Sequence, residues 1–105
     1  MFGLFNRIPS VSTSQLESDL TSKTTLLDVR MPGEYRQGHI SGAKNVPLNK
    51  IEQYKGSTED KVYVICQSGM RSKRAASVLS KKGYDVVNVR GGMSHWSGKV
   101  RGGKI

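Results

Sequence analysis

The sequence predicts an α/β domain with a mainly parallel central sheet and helices on both faces. Three short apolar runs favour buried strands, TLLDVR at 25–30, VYVIC at 62–66 and DVVNV at 85–89. Helical patterns separate these runs, and strands that alternate with helices are typical of parallel sheets. In such folds, ligands bind beyond the carboxyl ends of the strands.

Local signals in the first half of the chain place further elements. S-x-x-Q at residues 12–15 resembles a capping box, and Leu16 and Leu20 follow at helical spacing, so we expect a helix there. Pro32 suits the first turn of a second helix. A short strand is expected around residues 43–46, within a turn-rich stretch.

The rest of the chain contains three more predicted helices. Residues 48–56 are expected to form a short one. A longer helix is expected from Ser72, and Gly83 supplies its carboxyl-terminal cap. A last short helix is expected within MSHW at 93–96, directly after a Gly-Gly pair.

Length and composition predict one globular domain. The chain has 105 residues with 35% hydrophobic content, and no apolar run approaches the ~20 residues that span a bilayer. We expect a lead-in at 1–7, the folded domain at 8–97 and a basic Gly/Lys tail at 98–105. The lead-in MFGLFNR lacks the long apolar region of a signal peptide, although a weak contact with a membrane surface remains open.

Charge and cysteine content restrict the partners. The formal net charge is +9, and all of the excess lies in residues 61–105, where ten Lys and Arg accompany only Asp85. This half either forms a solvated basic face or attracts an anionic substrate or acidic partner, whereas few aromatic residues and no recognised motif argue against nucleic acid. A lone cysteine favours a reducing cytoplasm, and the sequence shows no metal-ligand spacing, so we expect no metal and no cofactor.

The only cysteine, Cys66, ends the predicted strand VYVIC and precedes a short loop. Gly69 allows a positive φ, and a tight loop at this point can direct backbone N–H groups inward as an anion-binding cradle next to a helix N-terminus. A thiolate held there should have a pKa below the usual ~8.5, and the same donors suit a bound oxyanion or persulfide. The alternative is an inert, buried cysteine. The predicted cradle comprises Gln67, Ser68, Gly69, Met70, Arg71 and Ser72.

Three stretches in the same order resemble the rhodanese-like sulfurtransferase family. CQSGMRS at 66–72 resembles its C-x-x-G-x-R-S active-site loop. DVRMPGEYRQGHISGAKNVP at 28–47 and GGMSHW at 91–96 resemble its two other signatures. The likeness covers roughly residues 8–97 and identifies a single rhodanese domain.

This resemblance implies a mechanism of sulfur transfer. Cys66 would take the outer sulfur of thiosulfate or a similar small anionic donor as a persulfide and pass it to cyanide, a thiol or a protein acceptor. Since the chain has no second cysteine, the sulfur must leave to another molecule. Only four residues separate Cys66 from Arg71, fewer than the five of cysteine-dependent phosphatases, so the loop favours a sulfur atom over a phosphate.

The resemblance also suggests roles for supporting residues. Arg71 either clamps the donor's sulfonate or bonds a carboxylate such as Asp28. For Ser72 we favour helix capping over a hydrogen bond towards the sulfur. Asp28 and Arg30 are expected to brace the scaffold. Other residues are expected to fix loops or guide anions rather than react: Glu34, His39, Asn45, Lys73 and Arg74.

A second function class stays open alongside the enzyme. The chain could be a persulfide carrier or regulatory interaction module that delivers sulfur to a protein partner. The basic half of the chain would suit that role. A catalytically silent binding domain is disfavoured because the cysteine and its loop are intact.

Overall fold

A parallel sheet forms the centre of the molecule. The structure is a computed structural model that describes residues 8–102. Within this range the strands are β1 Ser10–Val11, β2 Thr25–Asp28, β3 Lys44–Asn45, β4 Lys61–Ile65 and β5 Asp85–Val89. They form one sheet in the order β1–β5–β4–β2–β3, with every neighbouring pair parallel. The predicted fold class is confirmed.

Helices cover both faces of this sheet. In the described part of the chain, the α-helices are α1 Thr13–Asp19, α2 Pro32–Gln37 and α3 Met70–Lys81. Two 3₁₀ helices, Leu48–Gln53 and Gly92–His95, complete the layers.

The core is divided by the sheet into two apolar clusters. Val62, Val64 and Cys66 pack with the buried side of α3. Tyr63 and Ile65 belong to the other cluster, which includes residues of α1. Because successive side chains of a strand point to opposite faces, Cys66 continues the row that faces α3.

Helix α3 begins earlier than its apolar spacing indicates. It starts at Met70 rather than Ser72, because Gly69 adopts a left-handed conformation (φ +105°) and occupies the N-cap position. Its end agrees with the prediction. Gly83 has φ +99°, and its N–H donates to the carbonyl of Ser80 at 3.0 Å.

The shortest elements differ most from expectation. Strand β1 was not predicted, since two residues carry no periodicity and are defined only by their pairing with β5. The helix expected at 48–56 is the shorter 3₁₀ helix Leu48–Gln53, and the last helix starts at Gly92 instead of within 93–96. Half of the capping box forms: the Ser12 Oγ accepts the Gln15 N–H at 3.1 Å.

Part of the predicted tail contacts the domain. Arg101 and His39 exchange two backbone hydrogen bonds, of 3.0 and 2.7 Å. The boundary at residue 97 stays a prediction, and the expectations for MFGLFNR lie outside the described residues. Among residues 8–102, no helix has both the length and the apolar character needed to cross a bilayer.

Candidate active site

Cys66 lies at the carboxyl end of β4, and its side chain is fully buried. The backbone turns sharply at Gly69 and enters α3 directly. This strand–loop–helix connection brings the first turn of the helix back over the sulfur. The position is the edge of the sheet at which the fold class predicts ligand binding.

Two backbone N–H groups donate to the sulfur of Cys66. The distance from Sγ to the nitrogen of Gly69 is 3.0 Å, and to that of Ser72 it is 3.3 Å. The Ser72 hydroxyl oxygen lies 3.5 Å from Sγ. These donors point to a site built for negative charge on sulfur.

Opposing effects set the pKa of Cys66. Burial has the largest single influence and raises the pKa, because a thiolate loses its hydration in this site. Hydrogen bonds from the Ser72 side chain and from the backbone of Ser72, Gly69 and Ser68 lower it. Together they outweigh burial, so the pKa of the thiol is lowered from its ordinary value. A thiol of this kind can act as a nucleophile without a separate general base.

Ser72 does not cap the helix, which corrects the sequence-based expectation. Gly69 holds the N-cap position, and Ser72 is the third residue of α3, with its side chain fully buried. The Ser72 hydroxyl donates to the Gly69 carbonyl at 3.1 Å while its oxygen faces Sγ. Its single proton can turn to the sulfur when Cys66 is a thiolate. Capping signals in the sequence could not distinguish these positions, because serine suits both.

Asp28 and Arg30 form a buried ion pair beside the loop. Arg30 Nη2 lies 2.8 Å from Asp28 Oδ2, and the two side chains are 5% and 0% exposed. Arg30 also donates to the carbonyl of Gly38 at 2.7 Å and to Gln67 Oε1 at 3.2 Å. The arrangement fits the expected bracing role, which remains a proposal.

Arg71 pairs with Glu34 and not with Asp28, the carboxylate suggested from the sequence. Arg71 Nη1 and Nη2 donate to Glu34 Oε1 and Oε2 at 2.7 and 2.9 Å. Asp28 is already occupied by Arg30. The hydrogen bond from Arg71 is the main reason that the pKa of Glu34 falls from 4.5 to about 2.

The segment after β5 fixes the loop from its other side, and sequence reasoning missed this contact. The N–H of Met93 donates to the Cys66 carbonyl at 2.8 Å. The N–H and hydroxyl of Ser94 both donate to the Gln67 carbonyl, at 2.9 and 2.8 Å. At Gly92 (φ +59°), a Cβ would lie 2.3 Å from the Cys66 carbonyl oxygen. The Gly91-Gly92 pair directly after a strand was the available signal.

The remaining predicted residues lie around this loop. Gln67, Ser68 and Met70 have exposed side chains, as do Lys73 and Arg74. Asn45 Nδ2 donates to the carbonyls of Asp28 and Arg30, and His39 stacks on Tyr35, contacts that fix the neighbouring loops. Within residues 8–102, no group of three His, Cys, Asp or Glu side chains could hold a metal ion.

Comparison with known proteins gives relatives named for sulfur chemistry. The chain is 37% identical over 71 residues to "Thiosulfate sulfurtransferase PspE" of Escherichia coli, covering 64% of this chain and 68% of the relative. It is 38% identical over 98 residues to "Putative sulfur carrier protein YrkF" of Bacillus subtilis, covering 89% of this chain. This chain spans only 53% of that relative's length.

Solved structures of rhodanese-like domains have the same fold as this chain. A crystal structure of a rhodanese-like domain protein from Staphylococcus aureus superposes with a TM-score of 0.84 at 27% identity, covering 92% of this chain and 100% of that one. The model of the rhodanese-like domain family matches residues 12–99. The chain therefore belongs to the rhodanese-like family, as its three sequence signatures predicted.

Proposed function

We propose that this protein is a sulfurtransferase that carries sulfane sulfur as a persulfide on Cys66. The observation that carries the proposal is the sulfur of Cys66, which accepts the N–H groups of Gly69 and Ser72 at 3.0 and 3.3 Å. These donors suit a thiolate before the reaction and a persulfide after it. A relative named for thiosulfate supports thiosulfate as the donor.

The loading step balances without any further reagent. The Cys66 thiolate attacks the outer sulfur of thiosulfate and forms an Sγ–S bond. The S–S bond of thiosulfate breaks, and sulfite leaves with its electron pair.

The discharge step returns the enzyme to its first state. A thiophilic acceptor attacks the outer sulfur of the persulfide, and the electron pair of the breaking bond returns to Sγ. The two half-reactions share one covalent intermediate, so we expect ping-pong kinetics.

Intact mass spectrometry tests the proposal. After incubation with thiosulfate, the wild-type protein should gain one sulfur, ~32 Da, which cyanide or dithiothreitol removes. The matched control is Cys66→Ser, in which the adduct should be absent. The absence of an adduct on the wild-type protein would exclude thiosulfate as the donor, and an adduct that survives in Cys66→Ser would exclude Cys66 as its site.

A second candidate is a persulfide carrier that delivers sulfur to a protein partner. The relative named as a sulfur carrier favours it. Met70, four residues after Cys66, is also 72% exposed, as a docking contact would be. Saturable turnover of thiosulfate favours the enzyme. Sulfur that passes from Cys66 only to a protein acceptor favours the carrier.

A further inference from the structure

A groove of about 680 Å³ lies next to the Cys66 loop, on the face of the sheet covered by α3. Its walls include Ser68 and Gly69 of the loop, Lys73 of α3, and Asn88 and Arg90 at the end of β5. Lys73, Asn88 and Arg90 take no part in the loading step described above. These three residues are therefore available to bind a molecule other than the sulfur donor.

One end of the groove reaches the residue that touches the reactive sulfur. Gly69 lines the groove, and its N–H donates to Sγ at 3.0 Å. Asn88 pairs with Val64 across β5 and β4, and Cys66 follows Val64 by two residues on the same face. Strand spacing then separates the Cα atoms of Asn88 and Cys66 by roughly 8 Å. A molecule in the groove could therefore contact both Asn88 and Gly69, the residue whose N–H bonds the sulfur.

Asn88 is a buried polar group that lacks a partner. Its side chain is 3% exposed, and among the described residues its Oδ1 has no hydrogen-bond partner. The neighbouring positions of β5 are the valines Val86, Val87 and Val89. An unpartnered amide oxygen in such a strand costs stability, so a ligand with an N–H or O–H donor is its natural complement.

The same groove carries unpaired positive charge. Lys73 and Arg90 are both exposed, and neither forms a salt bridge with another residue of the range 8–102. The Ser10 hydroxyl oxygen accepts Arg90 Nη1 at 2.9 Å and so holds the guanidinium at the groove. A lysine and an arginine that line the same groove suit a carboxylate.

We propose that this groove is the acceptor subsite, and that it takes a small thiol bearing a carboxylate and an amide N–H, as a short acidic peptide thiol does. The carboxylate binds Lys73 and Arg90, and the N–H donates to Asn88 Oδ1. The inference rests on the proposed function, because it assumes a persulfide on Cys66. The acceptor thiolate attacks the outer sulfur, the bond from that sulfur to Sγ breaks, its electron pair returns to Sγ, and the product leaves as the acceptor's persulfide.

The role of the Lys73 and Arg90 charges is tested by the rate at which acceptors discharge protein that already carries the Cys66 persulfide. The probes are N-acetylcysteine and N-acetylcysteinamide, which differ only in the carboxylate. In the double variant Lys73→Gln/Arg90→Gln, the half-saturating concentration of N-acetylcysteine should rise about tenfold, whereas that of the amide should change less than about twofold. The control Lys61→Gln/Lys81→Gln likewise removes two exposed positive charges, both of them outside the groove, and should leave both values unchanged.

A second variant tests whether the side-chain oxygen of Asn88 accepts a hydrogen bond from the ligand. Asn88→Leu keeps the side-chain shape and removes the acceptor oxygen, so it should weaken discharge by N-acetylcysteine but not by 3-mercaptopropionate, which has no amide N–H. It should also raise the midpoint of thermal unfolding, because the unpartnered amide is gone. A purely structural role for Asn88 would instead lower the midpoint and slow both acceptors equally.

Binding without chemistry separates this proposal from the function on which it rests. S-methyl-N-acetylcysteine, added to the Cys66→Ser protein, should shift the backbone amide signals of Asn88 and Arg90 in NMR spectra and bind about tenfold more weakly to a protein that also carries Lys73→Gln/Arg90→Gln. Binding of this kind without thiosulfate loading would refute the donor step and support the groove as a binding site. Loading without this binding, or equal losses in the two double variants, would overturn the groove proposal.

Discussion

Two ion pairs flank the Cys66 loop, and they differ in burial. Asp28 and Arg30 are 0% and 5% exposed, whereas Glu34 and Arg71 are 36% and 35% exposed. The buried arginine also donates to two further groups, Gly38 and Gln67. In contrast, the Arg71 guanidinium donates two hydrogen bonds to the single carboxylate of Glu34.

This difference in burial indicates that the two ion pairs contribute differently to stability and to ligand binding. Breaking a buried pair leaves an uncompensated charge in the interior, which is strongly destabilising. An exposed pair is screened by water and contributes little to stability, so its charges remain available to a ligand. We therefore expect the first pair to support the fold of the loop and the second to adjust anion binding.

The largest effect is expected for Arg30→Met. This change leaves Asp28 buried without its partner and removes the bond to Gln67, so the free energy of unfolding should fall by about 3–5 kcal/mol. Chemical denaturation measures it. The double variant Asp28→Leu/Arg30→Met should recover part of the loss because no charge remains buried. A single variant as stable as the wild type would contradict the distinction between the two pairs.

An intermediate effect on the free energy of unfolding is expected at Gly92, which lies against the carbonyl of Cys66. Gly92→Ala should lower the free energy of unfolding by more than about 1 kcal/mol, since the residue has φ +59° and its Cβ would meet the Cys66 carbonyl. Sulfur loading should fall as well, because that carbonyl belongs to the reactive loop. In the control Gly33→Ala, where the structure shows open space in α2, a gain of roughly 0.5–1 kcal/mol is expected.

Smaller effects are expected from the exposed pair. Glu34→Gln should change the free energy of unfolding by less than about 1 kcal/mol. It also frees the Arg71 guanidinium, so if Arg71 holds the donor's sulfonate, the thiosulfate concentration for half-maximal loading should fall about threefold. Arg71→Gln should raise that concentration. Opposite shifts of this concentration in the two variants would support a role for Arg71 in donor binding. An unchanged concentration in both variants would show that Arg71 does not bind the donor.

The pH dependence of the exposed pair is the smallest effect. Because the folded-state pKa of Glu34 is lowered from 4.5 to about 2, its stabilisation is fully present above pH 4.5 and is lost as the pH falls through about 2. The difference in stability between wild type and Glu34→Gln should be constant above pH 4.5 and shrink below it. Solvent screening keeps this difference below about 1 kcal/mol.

Patterns in the sequence predicted the three longer strands β2, β4 and β5 and the longest helix, because these elements carry enough apolar residues to show a period. VYVIC and DVVNV correspond closely to β4 and β5. The two-residue strand β1 and the two 3₁₀ helices depend on tertiary contacts, so their existence or their bounds were missed.

The sequence predicted the type of site but not which side chains contact one another within it. The single cysteine, Gly69 and the family signature predicted the loop, and the structure shows N–H groups aimed at the sulfur. Which carboxylate meets Arg71 depends on two residues 37 positions apart in the chain, and no local pattern encodes that distance. Ser72 was misassigned because capping and bonding to sulfur use the same hydroxyl.

The central claim is that hydrogen bonds to Sγ outweigh burial and lower the pKa of Cys66. The most direct test is the pH titration of thiolate ultraviolet absorbance in the folded wild type, with the denatured protein and Ser72→Ala as references. The account predicts a midpoint for the folded protein below that of the denatured protein, and a midpoint for Ser72→Ala shifted back upward. A folded midpoint at or above the denatured one would show that burial prevails and would contradict the account.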